Sequence, residues 1–230
     1  MKILALAFLL ALPNAYAQDH SYGSYIGDVV AKWDVGGRTM TLTQPFEYIA
    51  PNGLHWNAPV GSVIDGASIP QFAWSIIGGP FEGKYRDASV LHDVACDKKD
   101  RRWQDVHYMF YTAMLASGVS NTKAKIMYAA VYHFGPRWPE IHHVTFTTNA
   151  IVEQRQCFNI LDSQSTCVVM PRSVTPSPPN VSNEAHDLVL ETQPPPQTLS
   201  QEEFKKLSAE IEAREQAGTP MGLEDIRDYK

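Results

Sequence analysis

The chain has 230 residues, 44% of them apolar and 19% charged, with a formal net charge of −6. That balance excludes a nucleic-acid-binding protein, which would present a lysine- and arginine-rich face. The stretch from 18 to 170, about 150 residues of mixed composition, is an ordinary size for one domain with its own hydrophobic core.

Residues 1–17 read as a cleavable secretory signal peptide. Met1-Lys2 makes a short positive start, Ile3 to Leu12 is an unbroken apolar run, and Ala15-Tyr16-Ala17 offers small residues to signal peptidase, so cleavage is expected before Gln18. The apolar run is ten residues long, whereas a spanning helix needs roughly 20. The mature protein is therefore expected to be exported, periplasmic or secreted, and soluble or peripheral, with no transmembrane segment after cleavage. No cysteine stands near the cut to carry a lipid.

From Gly27 to Val63 the chain is strand-like, with β-branched and aromatic residues broken by turn signals at Gly36-Gly37 and Pro51-Asn52-Gly53. Thr39 to Thr43 alternates, and Phe46-Glu47-Tyr48-Ile49 follows a proline; both are expected to be strands. After Asp65 the period lengthens to about 3.6. Ser68 is a candidate cap for a short helix through Phe72, Trp74 and Ile77, ended by Gly78-Gly79-Pro80. Further helices are expected from about Tyr85 to Lys98 and from about Arg102 to Ser117. A fourth should open at Ser120 or Asn121 and stop at Gly135-Pro136. Trp103, Val106, Phe110, Ala113 and Met114 mark one face of the third.

From Val144 to Val169 the β-branched content rises again, which permits one or two strands. Cys157 and Cys167 lie ten apart in this stretch and suit a small disulfide loop, whereas Cys96 is expected to be a buried thiol. Proline then dominates from Pro171 to Pro196 and reads as an extended linker. Beyond it, Leu199-Ser200 with Glu203-Phe204 carries a capping box and a hydrophobic staple, which start a helix. Phe204, Leu207 and Ile211 form a narrow stripe, and three side chains bury little area, so a solvated tail helix is expected. The segment Arg172 to Lys230 has 11 acidic and 6 basic residues, a surface for a partner of the tail.

The plan is thus an α+β fold: short antiparallel strands, about four helices and a strand-like return, over residues 18–170. A Pro-rich linker (171–199) and a charged helix and tail (200–230) follow.

The stretch richest in chemistry runs from Asp65-Gly66-Ala67-Ser68-Ile69-Pro70 to His92-Asp93 and Asp105. Polar groups in apolar surroundings are costly to bury unless they find partners. A helix carrying His92 packed on one carrying Asp105 would place imidazole and carboxylate within hydrogen-bond reach, the arrangement a general base needs. Ser68 would then be a nucleophile, or Asp65 and Asp93 would join His92 around a metal. The structural alternative is that Asp65-Gly66 is a turn, Ser68 a cap, His92 with Asp105 a pin, and Asp93 a surface ion pair. His107 points about 200° away from Asp105 on the same helix and is not expected to be a ligand. The same expectation covers His133, near a helix end, and the adjacent pair His142-His143.

The order of these motifs resembles an uncharacterised family of bacterial and phage proteins, domain of unknown function family 1353. The resemblance rests on Pro45-Phe46-Glu47-Tyr48, Val60-Gly61, Asp65 to Pro70 with Trp74, His92-Asp93, Asp105 with Phe110, Ala113 and Met114, and Gly135 with Trp138. It covers roughly residues 41–138 and implies no particular reaction. Gln71 stands where members of the family often carry arginine, and Val94-Ala95-Cys96 where they often carry an aromatic residue. His92-Asp93 is also similar to the pair of secreted phospholipases, without their calcium loop or dense cysteine framework. Metal-dependent phosphohydrolases named for a His-Asp pair are similar too; there His55 would be the upstream histidine, but Asp105 follows too closely.

The function expected from this sequence is a hydrolase acting on an envelope component, peptidoglycan or lipid, through Asp65, Ser68, His92, Asp93 and Asp105, with His92 as general base, Asp105 orienting it, and Ser68 or a metal-bound water as nucleophile. The alternative is a non-catalytic envelope or phage-derived accessory protein in which the same residues hold helices to the sheet.

Overall fold

A computed structural model describes residues 20–66, 69, 71–79, 83–146, 153–160, 164–171, 186–196 and 199–230. Residues 1–17, read above as a signal peptide, and Ser68 lie outside the described residues. The chain divides into two units, one formed by the residues up to Pro136 together with those from Gln197 onward, the other by Arg137 to Pro196.

The first unit opens with six short strands: β1 (Ser24–Ile26), β2 (Ala31–Trp33), β3 (Met40–Leu42), β4 (Phe46–Ile49), β5 (His55–Ala58) and β6 (Val63–Ile64). They make two antiparallel three-stranded sheets, ordered β1-β4-β5 and β2-β3-β6. The strands expected around 39–43 and at 46–49 therefore both exist yet belong to different sheets, with Pro45, which has no N–H to donate, between them. In β4, Phe46 and Tyr48 are buried while Glu47 and Ile49 are half-exposed; in β5, Trp56 and Ala58 are buried while His55 and Asn57 are exposed. This is the period-two alternation of a sheet with one covered face.

The covering helices are α1 (Trp74–Ile77), α2 (Arg86–Lys98), α3 (Trp103–Ala116) and α4 (Asn121–Phe134). The α4 cap is Ser120, whose hydroxyl accepts from the Lys123 N–H at 3.4 Å. The helix α1 starts without a side-chain cap, on a single 3₁₀ turn from Gln71 to Ala73. Leu42, Phe46, Tyr48 and Ile64 from the sheets and Val90, Leu91, Trp103, Val106 and Phe110 from the helices are all buried. Burial of each large apolar side chain contributes about 1.5–3 kcal/mol. Lys98 and Arg101 donate to the Asn57 and His55 carbonyls, and the Arg101 guanidinium sits 4.3 Å over the Trp56 ring, so the end of α2 is fastened to β5.

The second unit contains β7 (Glu140–Phe146), β8 (Glu153–Ile160), β9 (Gln164–Pro171) and β10 (His186–Thr192). They form two antiparallel pairs, β7 with β10 and β8 with β9. The register of β8 with β9 sets Cys157 directly opposite Cys167, while their side chains lie outside what the structure describes. β10 falls inside the segment expected to be a linker: Leu188, Val189 and Leu190 make a short strand-forming run that the flanking prolines mask in composition. The expected boundaries were 18–170 and 171–199, and the described strands β7 to β10 fall on both sides of residue 171 within the second unit.

The chain ends in α5 (Gln201–Gln216) and α6 (Leu223–Arg227). The capping box is present, with the Ser200 N–H donating to Glu203 at 2.6 Å and the Ser200 hydroxyl accepting from the Glu203 N–H. The solvated tail helix expected from the sequence is instead docked. Phe204, Leu207 and Ile211 are fully buried, and Phe204 meets Phe72 and Phe134 edge to face at 5.6 and 5.8 Å. Lys125 of α4 donates to Glu215 at 2.6 Å, and the His133 Nε2–H donates to the Ile226 carbonyl at 2.8 Å. A count of one stripe underestimated the buried area because Leu199, Met221 and Ile226 join it.

Candidate functional site

Helix α2 presents His92, Asp93 and Cys96 inward, and α3 packs beside it; all three residues are buried, with His92 at 0% exposure. The residue that α3 sets against His92 is His107. His92 Nε2 and His107 Nδ1 are 2.8 Å apart, and the His107 Nε2 is 3.1 Å from the Pro136 carbonyl oxygen just beyond α4. A carbonyl only accepts, so His107 carries its proton on Nε2 and its Nδ1 is an acceptor. His92 then donates from Nε2, and its Nδ1 is left as an acceptor with the Cys96 sulfur 3.8 Å away. The sulfur is also 3.7 Å from Nε2, so it lies against the ring rather than in line with one nitrogen; the directed chain runs from His92 through His107 to a backbone carbonyl and ties α2 and α3 to the end of α4.

Aromatic rings close the cluster. Phe110 lies 4.8 Å from the His92 ring by centroids, and Trp103 lies 5.6 Å from that of His107. Burial holds the His92 imidazole down to about 3, far below its ordinary value, so it stays neutral at any physiological pH. Burial likewise pushes the Cys96 thiol up to about 12, with the Asp93 carboxylate adding to the effect, so the thiol stays protonated.

Asp93 faces the other side of α2. Its Oδ2 accepts from the Gly66 N–H at 2.8 Å and the Asp65 N–H at 3.2 Å. Gly66 is in the left-handed region at φ +97°, a conformation that a side chain would strain, so this glycine lets the chain turn after β6 and aim both amides at one carboxylate. Asp93, expected either to join His92 around a metal or to make a surface ion pair, is placed as a buried clamp between α2 and the turn. Asp65 contributes its backbone; its side chain is exposed.

Asp105 is not the partner of His92. It is exposed on α3, two residues before the buried His107, and borders a hollow of about 190 Å³ also lined by Leu54, Trp56, Tyr108 and Met109. Trp56 is 6% exposed, and its indole N–H has no acceptor among the described residues. Of the residues expected to form one cleft, the structure thus groups His92 with neither Asp105 nor Asp65, and Ser68 lies outside the described residues.

The partner that sequence reasoning passed over was legible. Trp103, His107, Phe110 and Met114 recur every three or four residues, the spacing of a single helical face, and Asp105 falls about 200° from Trp103. Ranking side chains by chemistry rather than by face selected the wrong member of α3.

His92, Cys96 and His107 each offer one ligand atom, and these three atoms lie within 4.8 Å of one another. Two imidazoles and a thiol are the donor set of a soft or borderline transition metal.

Residues 40–131 match the model of a family described as "Protein of unknown function (DUF1353)". The chain is 47% identical over 134 residues to "Uncharacterized protein y4jT" of Sinorhizobium fredii, a match covering 58% of this chain and 38% of that protein. It is 44% identical over 97 residues to "Uncharacterized protein y4iH" of the same organism, covering 42% and 41%. The chain therefore spans about two fifths of the length of these curated relatives. No solved structure matches it. No helix among the described residues is long and apolar enough to cross a membrane.

Proposed function

We propose that this chain, which carries the DUF1353 domain over residues 40–131, works as an exported, non-catalytic accessory protein of the cell envelope. The observation that carries the reading is the complete burial of His92 against His107. A general base must reach a substrate proton directly or through one water; a ring with no solvent exposure, locked in a one-directional hydrogen-bond chain, serves instead to join α2 to α3. Asp93 supports the same reading by spending its carboxylate on two backbone amides.

Recognition then falls to the surface. The hollow beside Asp105 combines a carboxylate, the exposed Tyr108 and Leu54, and an indole donor at Trp56. Such a lining suits a ligand with an apolar body and a cationic or polar head. The outer face of α5 exposes Glu202, Glu210 and Glu212, the first two paired with Lys205 and Arg214, and offers a second contact of mixed charge for a partner of the tail.

The test is to incubate the mature protein with isolated peptidoglycan and with phospholipid vesicles, with and without chelator, and to measure both product and co-sedimentation. The expected result is binding without product, weakened several-fold in Asp105→Ala, whose stability should stay within about 0.5 kcal/mol of the parent because the residue is exposed. Product released by the folded parent from either material would overturn the reading in favour of an envelope hydrolase.

A further inference from the structure

His92 and Cys96 stand four residues apart on α2, so one helical face carries both, and α3 brings His107 to the same point. A tetrahedral zinc ion with Zn–N of about 2.0–2.1 Å and Zn–S of about 2.3 Å requires nitrogens about 3.3 Å apart and sulfur about 3.6 Å from each nitrogen. The structure has the two nitrogens at 2.8 Å and the sulfur 3.7 Å from His92 Nε2. The third edge, from the sulfur to His107, lies within 4.8 Å, so seating an ion needs the two nitrogens to separate by about half an ångström and the sulfur to settle at about 3.6 Å from His107. The remaining nitrogen of His107 points at the Pro136 carbonyl, the outer hydrogen bond that ordinarily fixes the ring of a metal-bound histidine.

We propose that His92, Cys96 and His107 form a zinc site that staples α2 to α3. Zinc would bind through Cys96 Sγ, His92 Nε2 and His107 Nδ1, with a water completing the tetrahedron. Loading replaces the hydrogen bond between the two rings. The His92 proton moves from Nε2 to Nδ1, the Cys96 thiol loses its proton to solvent, and the charge of the ion is offset by one thiolate, with one proton released per ion bound. The softness of the donor set excludes magnesium and calcium, which take oxygen ligands. Because the site is enclosed, zinc enters during folding or through opening of α2 from α3. The proposal rests on the reading of His92 as a structural residue, and that reading survives without it, since the hydrogen bond between the rings joins the helices in the metal-free protein.

The test uses the full mature chain, refolded with Zn(II) or Co(II) and freed of excess metal. The expected results are one zinc per chain by elemental analysis and, with Co(II), a thiolate-to-metal absorption band together with the intense visible bands of four-coordinate cobalt. Zinc at a hundredfold excess over its dissociation constant should raise Tm by roughly 5–10 °C. Cys96→Ser and Cys96→Ala should fold, lose the thiolate band and lose most of the rise in Tm, whereas replacing Cys157 and Cys167 together by serine should leave both unchanged. Sub-stoichiometric metal, or a cobalt spectrum unaltered in both Cys96 variants, would overturn the proposal. If the His92 ring also titrates near its ordinary value, the structural reading itself fails; if it stays neutral, only the metal is lost.

Discussion

His92→Ala is expected to cost about 3 kcal/mol or more of unfolding free energy, a large part of the whole stability of a domain. Two effects add. Removing a fully buried ring leaves a cavity among Phe110 and its neighbours, of the kind that costs about 2–5 kcal/mol when a large side chain is cut to alanine. The Nδ1 of His107 also loses its donor inside the core, an unsatisfied acceptor worth about 1–3 kcal/mol. Chemical unfolding of the two proteins side by side reads the difference. A catalytic His92 would behave in the opposite way, with the fold kept and an activity lost; a change below about 1 kcal/mol would show that the ring is not the pin described here.

Phe204→Ala should be the second severe substitution, at about 3–5 kcal/mol, although it lies in a segment that composition alone marks as a charged tail. The ring is fully buried between Phe72 and Phe134 and anchors α5 to α4. Truncation after Pro196 goes further. It exposes that aromatic surface, removes Glu215 from the buried Lys125, and takes the Ile226 carbonyl from His133. An isolated ammonium in an apolar setting is costly, so the truncated chain is expected to aggregate or to unfold at a Tm at least about 10 °C lower. Thermal unfolding followed by circular dichroism checks both variants, and an unchanged Tm in either would mean that α5 is a free tail after all.

The helices were legible because their stop signals are chemical. Gly118 and Gly135-Pro136 mark C-terminal ends, and the Ser200 capping box an N-terminal start, that the structure reproduces within a residue or two. The strands at 40–42 and 46–49 were legible too, but their assignment to separate sheets was not, since alternation reports a covered face and not the neighbour across the ladder. The docking of α5 was hidden for a related reason: a stripe of three apolar residues looks insufficient until Phe72 and Phe134, more than 60 residues away in sequence, supply the other half of the contact. At the site, His92 was correctly singled out as a polar residue needing a partner. Its partner was misassigned because carboxylates were weighed ahead of the helical face that carries His107, and the role of Asp93 depends on two amides at a turn that no spacing rule connects to it.

The burial that makes His92 a pin also sets its pH response. In the metal-free protein the unfolded ring takes up a proton as pH falls through about 6.5, while the folded ring stays neutral down to about 3. Its contribution to stability is therefore complete above pH 6.5 and declines toward pH 3, at about 1.4 kcal/mol per pH unit for this one group.

The most direct measurement is an NMR titration of the histidine ring signals of the protein between pH 5 and 8. The account predicts that the His92 ring keeps the shifts of a neutral imidazole with its proton on Nε2 in the metal-free protein, and remains neutral through the whole range. A His92 signal that titrates with a midpoint near 6.5 would mean that the ring meets solvent, and would contradict the structural role on which the account stands.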